Sequence, residues 1–273
     1  MNLPRAKKRL GQNFLVDESF IARIVDALSP HGGETIVEIG AGRGALTARL
    51  VEESCRVVAI EFDRDLAPLL RADFGVRENF ELVEADALGV NFCEAIAPAT
   101  RARVVANLPF NISTAILQHL IAHRRCLNEF TLMLQREVVE RITAPPSTSE
   151  RGYLSVLVEG YCEREALFDV PPGAFRPVPK VWSTVVRLRP LEHTPFDNQD
   201  EGFLWSVVSA GFAQRRKTML NNLRSAPDDL RVRVEASGGA VAALESSEIA
   251  PQRRAETLTV EEWARLARTL ESG

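Results

Sequence analysis

Three carboxylates and one tetrad carry the chemistry of this sequence: Glu38, Glu61 and Asp86, and Asn107-Leu108-Pro109-Phe110. Glu38 leads into Gly40, Gly42 and Gly44, a glycine-rich turn between a strand-like and a helix-like run. Glycine lets backbone turn sharply and approach a ligand closely. Such a turn commonly binds a nucleotide-like cofactor, though the triplet alone leaves open a dinucleotide, S-adenosylmethionine or simple packing. The spacing is GxGxG, an imperfect match to the GxGxxG pyrophosphate loop. Glu38 would repel a pyrophosphate and suits a ligand bearing an ammonium and a sulfonium. Glu61 lies 21 residues after Gly40, where an acidic side chain accepts from ribose hydroxyls, a role shared with NAD enzymes. Asp86, within Ala85-Asp86-Ala87-Leu88, can accept from an adenine amino group. Singly, Glu61 and Asp86 could be helix caps. Together the three describe a cationic adenosine ligand better than NAD.

The tetrad suits alkylation of an exocyclic amine on adenine. That amine is a poor nucleophile because its lone pair is delocalised into the ring. Two acceptors, the Asn107 side-chain oxygen and a backbone carbonyl such as that of Leu108, could hold its N–H groups and turn the lone pair outward. Pro109 biases Leu108 toward an extended backbone. Phe110 offers a face for the base, worth roughly 1–3 kcal/mol by stacking. The rest is positioning, and no strong general base is required. A proline turn with a packed phenylalanine is the bland alternative.

Elements that could position these groups follow from periodicity. Asp17 caps a predicted helix with Phe20, Ile21, Ile24, Val25 and Leu28 on one face. Residues 35–39, 56–60, 80–84, 102–106 and 130–134 read as short buried strands. Helices are expected between them, including 114–123, 135–142 and one that Asp63 could cap. This alternation predicts a Rossmann-like, doubly wound α/β domain over residues 1–190. Residues 144–151 read as a loop, and 166–170 with 181–188 as an antiparallel edge hairpin. Residues 191–273 read as a small all-helical domain, with helical spacing at 203–212, 218–223, 236–240 and 260–270.

The chain has 273 residues, 45% hydrophobic and 26% charged, with a net charge of −4. That composition excludes a disordered or collagen-like chain. No apolar run nears the ~18 residues of a membrane helix, and the basic N-terminus lacks the apolar core of a secretory signal. Cys55, Cys93, Cys126 and Cys162 are dispersed. This disfavours a disulfide framework or zinc knuckle and suits a reducing cytoplasm. His119 and His123 share a helix face but lack a third metal ligand, so no metal is expected. The acidic balance would seem to argue against nucleic acid. Yet residues 1–16, 95–128, 171–190 and 203–227 contain no acid, and local fields outweigh net charge in binding. Arg5, Lys7, Lys8 and Arg9, and Arg215, Arg216 and Lys217, are the RNA-contact candidates. A basic surface around the tetrad is the expected result. Trp182 and Trp205 read as core or interdomain packing.

The ordered motifs resemble the ribosomal RNA adenine dimethylases across nearly the whole chain. They are LGQNFLVD at 10–17, EIGAGRGALT at 38–47, IEFDRDL at 60–66, ADAL at 85–88, NLPFNIST at 107–114, LQREVVERI at 134–142, PPGAFRPVPKVWSTVVRLRP at 171–190 and FAQRRKTMLNNL at 212–223. The resemblance implies a Rossmann-like methyltransferase domain with a small helical C-terminal domain. The expected donor is S-adenosylmethionine, with S-adenosylhomocysteine as product. The expected product in RNA is N6,N6-dimethyladenosine at two adjacent adenosines in the 3′-terminal hairpin loop of 16S rRNA, made in the small ribosomal subunit or its precursor. It further implies a cytoplasmic monomer in ribosome biogenesis. By matching position, Asn13 and Leu15 cover the cofactor, Gly40 and Gly42 approach it, Glu61 holds the ribose and Asp86 with Ala87 the adenine. Asn107 lies between cofactor and target, and Phe110 stacks on the base. Ala41, Ala106, Phe110 and Trp182 stand where the family often has proline, glycine, tyrosine and aspartate. A sister branch acts on large-subunit RNA, but GQNFL at 11–15 and the basic FAQRRKTMLNNL favour the small-subunit branch. A non-catalytic RNA-binding assembly factor and an oxidoreductase on the same architecture are the other classes to separate.

Overall fold

The structure is a computed structural model that describes residues 4–7, 10–53, 55–109, 112–196 and 200–272. Lys8, Arg9 and Phe110, predicted site residues, lie outside the described residues. In chain order the elements are β1 (Phe14–Leu15), α1 (Glu18–Leu28), β2 (Thr35–Ile39), α2 (Thr47–Leu50), β3 (Arg56–Glu61), α3 (Ala67–Phe74), β4 (Phe80–Glu84), α4 (Phe92–Ala95), β5 (Ala102–Asn107), α5 (Ser113–Ala122) and β6 (Leu127–Gln135). They continue with α6 (Arg136–Thr143), α7 (Tyr153–Tyr161), β7 (Cys162–Val170), β8 (Phe175–Arg176), β9 (Ser183–Pro190), α8 (Glu201–Phe212), α9 (Met219–Arg224), α10 (Asp228–Ala236), α11 (Gly239–Ser246) and α12 (Val260–Ser272).

Met1–Val139 with Arg164–Pro190 form one compact unit, and Glu140–Glu163 with Leu191–Gly273 another. In the first, seven of the nine described strands form one sheet in the order β4-β3-β2-β5-β6-β9-β7, and β1 pairs with β8 in a second. β2 pairs in parallel with β3 and β5, β3 with β4, and β5 with β6. Central strands of such a sheet are covered on both faces, so they read as continuous apolar runs rather than alternating ones. Ile36, Val37, Val57, Val58, Val104 and Val105 are accordingly buried. The Asp17 carboxylate caps α1 by accepting from the Ser19 N–H, and Ile21, Ile24, Val25 and Leu28 are buried. That face packs in one cluster with Ile36, Val57, Val105, Met133 and Val185. β9 runs antiparallel to β6, with Gln135 opposite Ser183 and Phe130 opposite Leu188. The two strands expected as an edge hairpin are therefore neighbours, with β7 outermost.

The second unit explains why residues 140–163, placed in the first domain by the sequence, belong elsewhere. The Arg151 side chain is fully buried and donates to the carbonyls of Ala144 (3.0 Å) and Leu258 (3.2 Å) and to Glu159. Trp205 Nε1 donates to the Tyr161 hydroxyl (2.8 Å), and both rings pack with Phe196. In α7 Leu154, Val156, Leu157, Val158 and Tyr161 are all buried, a helix the sequence expectations did not include. Two further expectations are corrected. Cys93 and Cys126 form a disulfide across 33 residues. The pairing of β5 with β6 brings the segments before them together, the Ala102 N–H donating to the Cys126 carbonyl (2.9 Å). Trp182 is no core residue: it is 48% exposed.

Gly211 of α8 tests the packing of the second unit. A Cβ there would lie 2.3 Å from the Trp263 ring, and Trp263 is fully buried. Helix propensity alone would favour alanine by roughly 0.5–1 kcal/mol, but overpacking costs about 1–3 kcal/mol. Gly211→Ala is expected to lower the unfolding midpoint in thermal denaturation, and a rise would contradict this packing.

Candidate active site

The carboxyl ends of β2, β3, β4 and β5 open onto one cleft, the place where doubly wound sheets hold ligands. Gly40, Gly42, Glu61, Asp86, Ala87, Asn107, Leu108 and Pro109 line it, together with Asn13 of the N-terminal segment. The Gly42 backbone has φ +63°, and a Cβ there would lie 3.3 Å from the Phe14 ring. Its N–H donates to Glu61 Oε2 (2.8 Å), while the Asp63 N–H donates to Oε1 (2.7 Å). Each oxygen thus has one backbone donor and lone-pair capacity left for hydroxyl donors. Burial holds the Glu61 carboxyl above the usual carboxylate range, against those two hydrogen bonds. Asp86 Oδ1 accepts from the Leu88 N–H (3.0 Å), which leaves Oδ2 for an amino group. Two carboxylates at adjacent strand ends and a close-approaching glycine fit an adenosine-type ligand.

Asn107 is set by a partner that the sequence did not reveal. Its Nδ2 donates to the Asn13 carbonyl (3.2 Å), 94 residues away in sequence. The amide nitrogen is thereby engaged, and Oδ1 is the end left to accept. Leu108 is fixed by its own N–H, which donates to the Met133 carbonyl (3.2 Å).

The N-terminal segment is folded over the cleft by a set of specific contacts. Gln12 Nε2 donates to Asp63 (2.8 Å), and Lys7 Nζ pairs with Asp63 and with Asp65 (2.6 Å). Arg43 donates to the Pro4 carbonyl (2.7 Å) and stacks over Phe14, 4.3 Å from the ring centre. β1 pairs antiparallel with β8, Leu15 opposite Phe175. Burial works against ionised Asp63, but hydrogen bonds from Lys7, the Asp65 N–H and Gln12 hold its carboxyl below the usual range. Its bonds to the Asp63 and Asp65 carboxylates in turn raise the Lys7 ammonium above its ordinary value. Asp63, expected to cap a helix, caps the turn that leads into α3, its carboxylate accepting from the Asp65 N–H (3.0 Å) and its carbonyl from the Ala67 N–H (3.2 Å), and it is also the anchor of this arm.

Other candidates fall outside the cleft lining. Leu15 is buried in the core beneath. Glu38 is buried behind the glycine turn and accepts from the Thr47 hydroxyl (2.6 Å). Burial pushes its carboxyl up to about 8. Gln12, Phe14, Phe62, Ile112 and Phe175 line the cleft without having been singled out. Phe62, 58% exposed, had one legible signal, an aromatic beside a strand-end carboxylate.

Three arginines of the expected basic surface lie elsewhere. Arg103 donates to Glu34, Glu129 and the Leu28 and Ser29 carbonyls. Arg187 pairs with Glu129 and Glu165, and Arg189 with Glu129. These arginines sit at the amino end of the parallel strands, opposite the cleft. In the second unit Arg215 donates to the Ser149 and Arg151 carbonyls, while Arg216 and Lys217 are exposed. No group of His, Cys, Asp and Glu among the described residues could hold a metal ion. No helix among them is long and apolar enough to cross a membrane.

A parallel sheet with this cleft defines a Rossmann-like methyltransferase. Residues 4–272 match the ribosomal RNA adenine dimethylase family. A ribosomal RNA small subunit methyltransferase A from Hahella chejuensis is 43% identical, covering 96% of this chain and 92% of that one. The crystal structure of the 23S rRNA methyltransferase ErmE superposes with a TM-score of 0.67 at 26% identity, over 95% of this chain and 100% of that one. A dimethyladenosine transferase from Plasmodium falciparum shares the fold, with a TM-score of 0.74 at 24% identity over 93% and 95% of the two chains. The chain belongs to the ribosomal RNA adenine dimethylase family and is an S-adenosylmethionine-dependent enzyme.

Two variants probe this geometry. Asp63→Ala removes the anchor for Lys7 and Gln12, so binding of S-adenosylhomocysteine in calorimetry should weaken roughly tenfold, about 1.4 kcal/mol. An unchanged Kd would mean that the arm does not shape the cleft. For Glu38, the raised folded-state value means that the stability of the neutral form is complete below about pH 4.5 and is lost as pH rises toward about 8. Glu38→Gln should therefore lose less melting temperature than wild type between pH 5 and 8, and parallel curves would contradict this.

Proposed function

We propose that this protein dimethylates the N6 amines of two adjacent adenosines in the 3′-terminal hairpin loop of 16S rRNA. It does so as a cytoplasmic monomer acting on the small ribosomal subunit or its precursor during biogenesis. The observation that carries the reading is the Asn107 amide, oriented by the Asn13 carbonyl at a cleft edged by Glu61 and Asp86. Close similarity to a small-subunit methyltransferase along 96% of the chain favours that subunit over the 23S alternative.

S-adenosylmethionine supplies an electrophilic methyl group when bound. Glu61 would hold its ribose hydroxyls and Asp86 its adenine amine, with Gly40, Gly42 and Ala87 allowing close approach and Asn13 covering it. Glu38 acts from behind the glycine turn, where a nearby cation would favour its ionised form. In the first transfer the target amine would donate its two N–H groups to Asn107 Oδ1 and the Leu108 carbonyl, and in the second its one remaining N–H to one of them, which turns its lone pair toward the incoming carbon. Pro109 fixes that carbonyl, and Phe110 provides the stacking face. After each transfer the alkylated nitrogen, now cationic, loses its proton to water. Arg5, Lys7, Lys8 and Arg9, with Arg215, Arg216 and Lys217, supply phosphate contacts. Lys7 reaches RNA only by leaving Asp63 and Asp65.

The reading is tested by mass spectrometry of small-subunit RNA from a deletion strain with and without this protein. Dimethyladenosine at both positions should return with the protein. Asn107→Ala should return none, a loss of at least a hundredfold in transfer, while RNA affinity stays within about twofold. Near-normal modification by that variant would rule out the assignment of Asn107.

A further inference from the structure

We propose that Trp182 is a stacking platform for an unpaired RNA base that neighbours the target adenosine. The inference rests on the RNA-methylating reading above and adds a specificity residue to it. Large apolar side chains in the open call for an explanation when they cluster. Trp182 is 48% exposed, and Val178 and Val181 beside it are 57% and 42% exposed. The position is nevertheless rigid. Pro177 and Pro179 each lock a backbone torsion, the Trp182 carbonyl accepts from the Arg136 N–H (3.0 Å), and Ser183 enters the sheet opposite Gln135. A fixed backbone with an exposed indole lowers the ordering cost of a contact.

Its place in the register puts it at the target end of the sheet. Asn107 stands opposite Met133, and Met133 opposite Val185. Trp182 lies three residues beyond Val185, so it stands roughly 10 Å further along the strands and roughly 10 Å across them from Asn107. The same loop begins at Phe175, which lines the cleft. That distance is suited to a flanking nucleotide and too long for the target base itself.

Charge around the indole favours a nucleic acid. Arg176 and Lys180 on the loop are exposed. The Arg176 guanidinium is held by the Gly173 (2.9 Å) and Phe175 (2.8 Å) carbonyls. Residues 171–190 contain no acid. The adjoining Asp169 is engaged by the Thr184 hydroxyl (2.6 Å) and by Arg136 (3.5 Å). An exposed aromatic with cations beside it is how proteins hold single-stranded bases, through stacking plus phosphate attraction.

The test compares wild type, Trp182→Ala, Trp182→Leu and Trp182→Phe, all retaining the wild-type melting temperature. Substrates are small-subunit particles from a strain lacking the methylation and protein-free small-subunit RNA. The alanine and leucine variants should raise the particle KM about tenfold and weaken binding to protein-free RNA by a similar factor. Their kcat and their KM for S-adenosylmethionine should stay unchanged. Phenylalanine should restore most of the loss because it keeps a planar face, and leucine should not. An unchanged KM for the alanine variant overturns the proposal while leaving the functional reading standing. Full rescue by leucine, or an effect on particles that disappears on protein-free RNA, also overturns it, the latter pointing to a ribosomal protein. If wild type transfers no methyl group to the particles, the functional reading falls and this inference with it.

Discussion

The hydrogen bond from the Asn107 amide to the Asn13 carbonyl decides which end of a symmetric-looking side chain faces the cleft. An asparagine amide is a donor at one end and an acceptor at the other. Facing the wrong way, it would present N–H groups where the proposed function calls for an acceptor. The bond requires the N-terminal arm to lie over the cleft, and the arm is held by Asp63, by Arg43 and by β1 on β8. Glu61 is tied into the same system, accepting from the residue that anchors the arm and from the glycine turn that touches Phe14. Glu61, the N-terminal arm and Asn107 belong to one hydrogen-bonded assembly.

Charge in this protein has to be read in space rather than along the chain. Arg103, Arg187 and Arg189 come from acid-free stretches, yet they meet on Glu129 in the folded sheet. Parallel pairing of β5 with β6 and antiparallel pairing of β6 with β9 create that meeting. The Glu129 side chain is 9% exposed, where an unpaired carboxylate would be costly. The acid-free stretches therefore say less about an RNA surface than their composition suggests, and the exposed cations of the 171–190 loop and of the α8–α9 turn say more.

Much of the fold was legible because it depends on local pattern. The strand at 35–39 and the α1 cap at Asp17 matched the structure to the residue, since a buried apolar run and a capping carboxylate are short-range signals. The alignment of Glu61, Asp86 and Asn107 on one cleft followed from parallel strands that end on the same side. What stayed hidden depends on long-range closure. The Asn13–Asn107 bond, the Asp63 anchor and the Cys93–Cys126 pair join residues that no periodicity connects. α7, most of whose residues are buried, was missed as well.

The pairing of Phe14 and Leu15 with Phe175 and Arg176 has a consequence for how the molecule is made. A chain leaves the ribosome from its N-terminus, and β1 must wait for β8, synthesised roughly 160 residues later. At 5–20 residues per second that delay is on the order of ten seconds or more. During that interval the central strands can assemble, but the cover over the cleft has no strand to lie against. A nascent chain can therefore assemble its central strands before the cover over the cleft has its partner strand, which is complete only once residue 176 of 273 has been made.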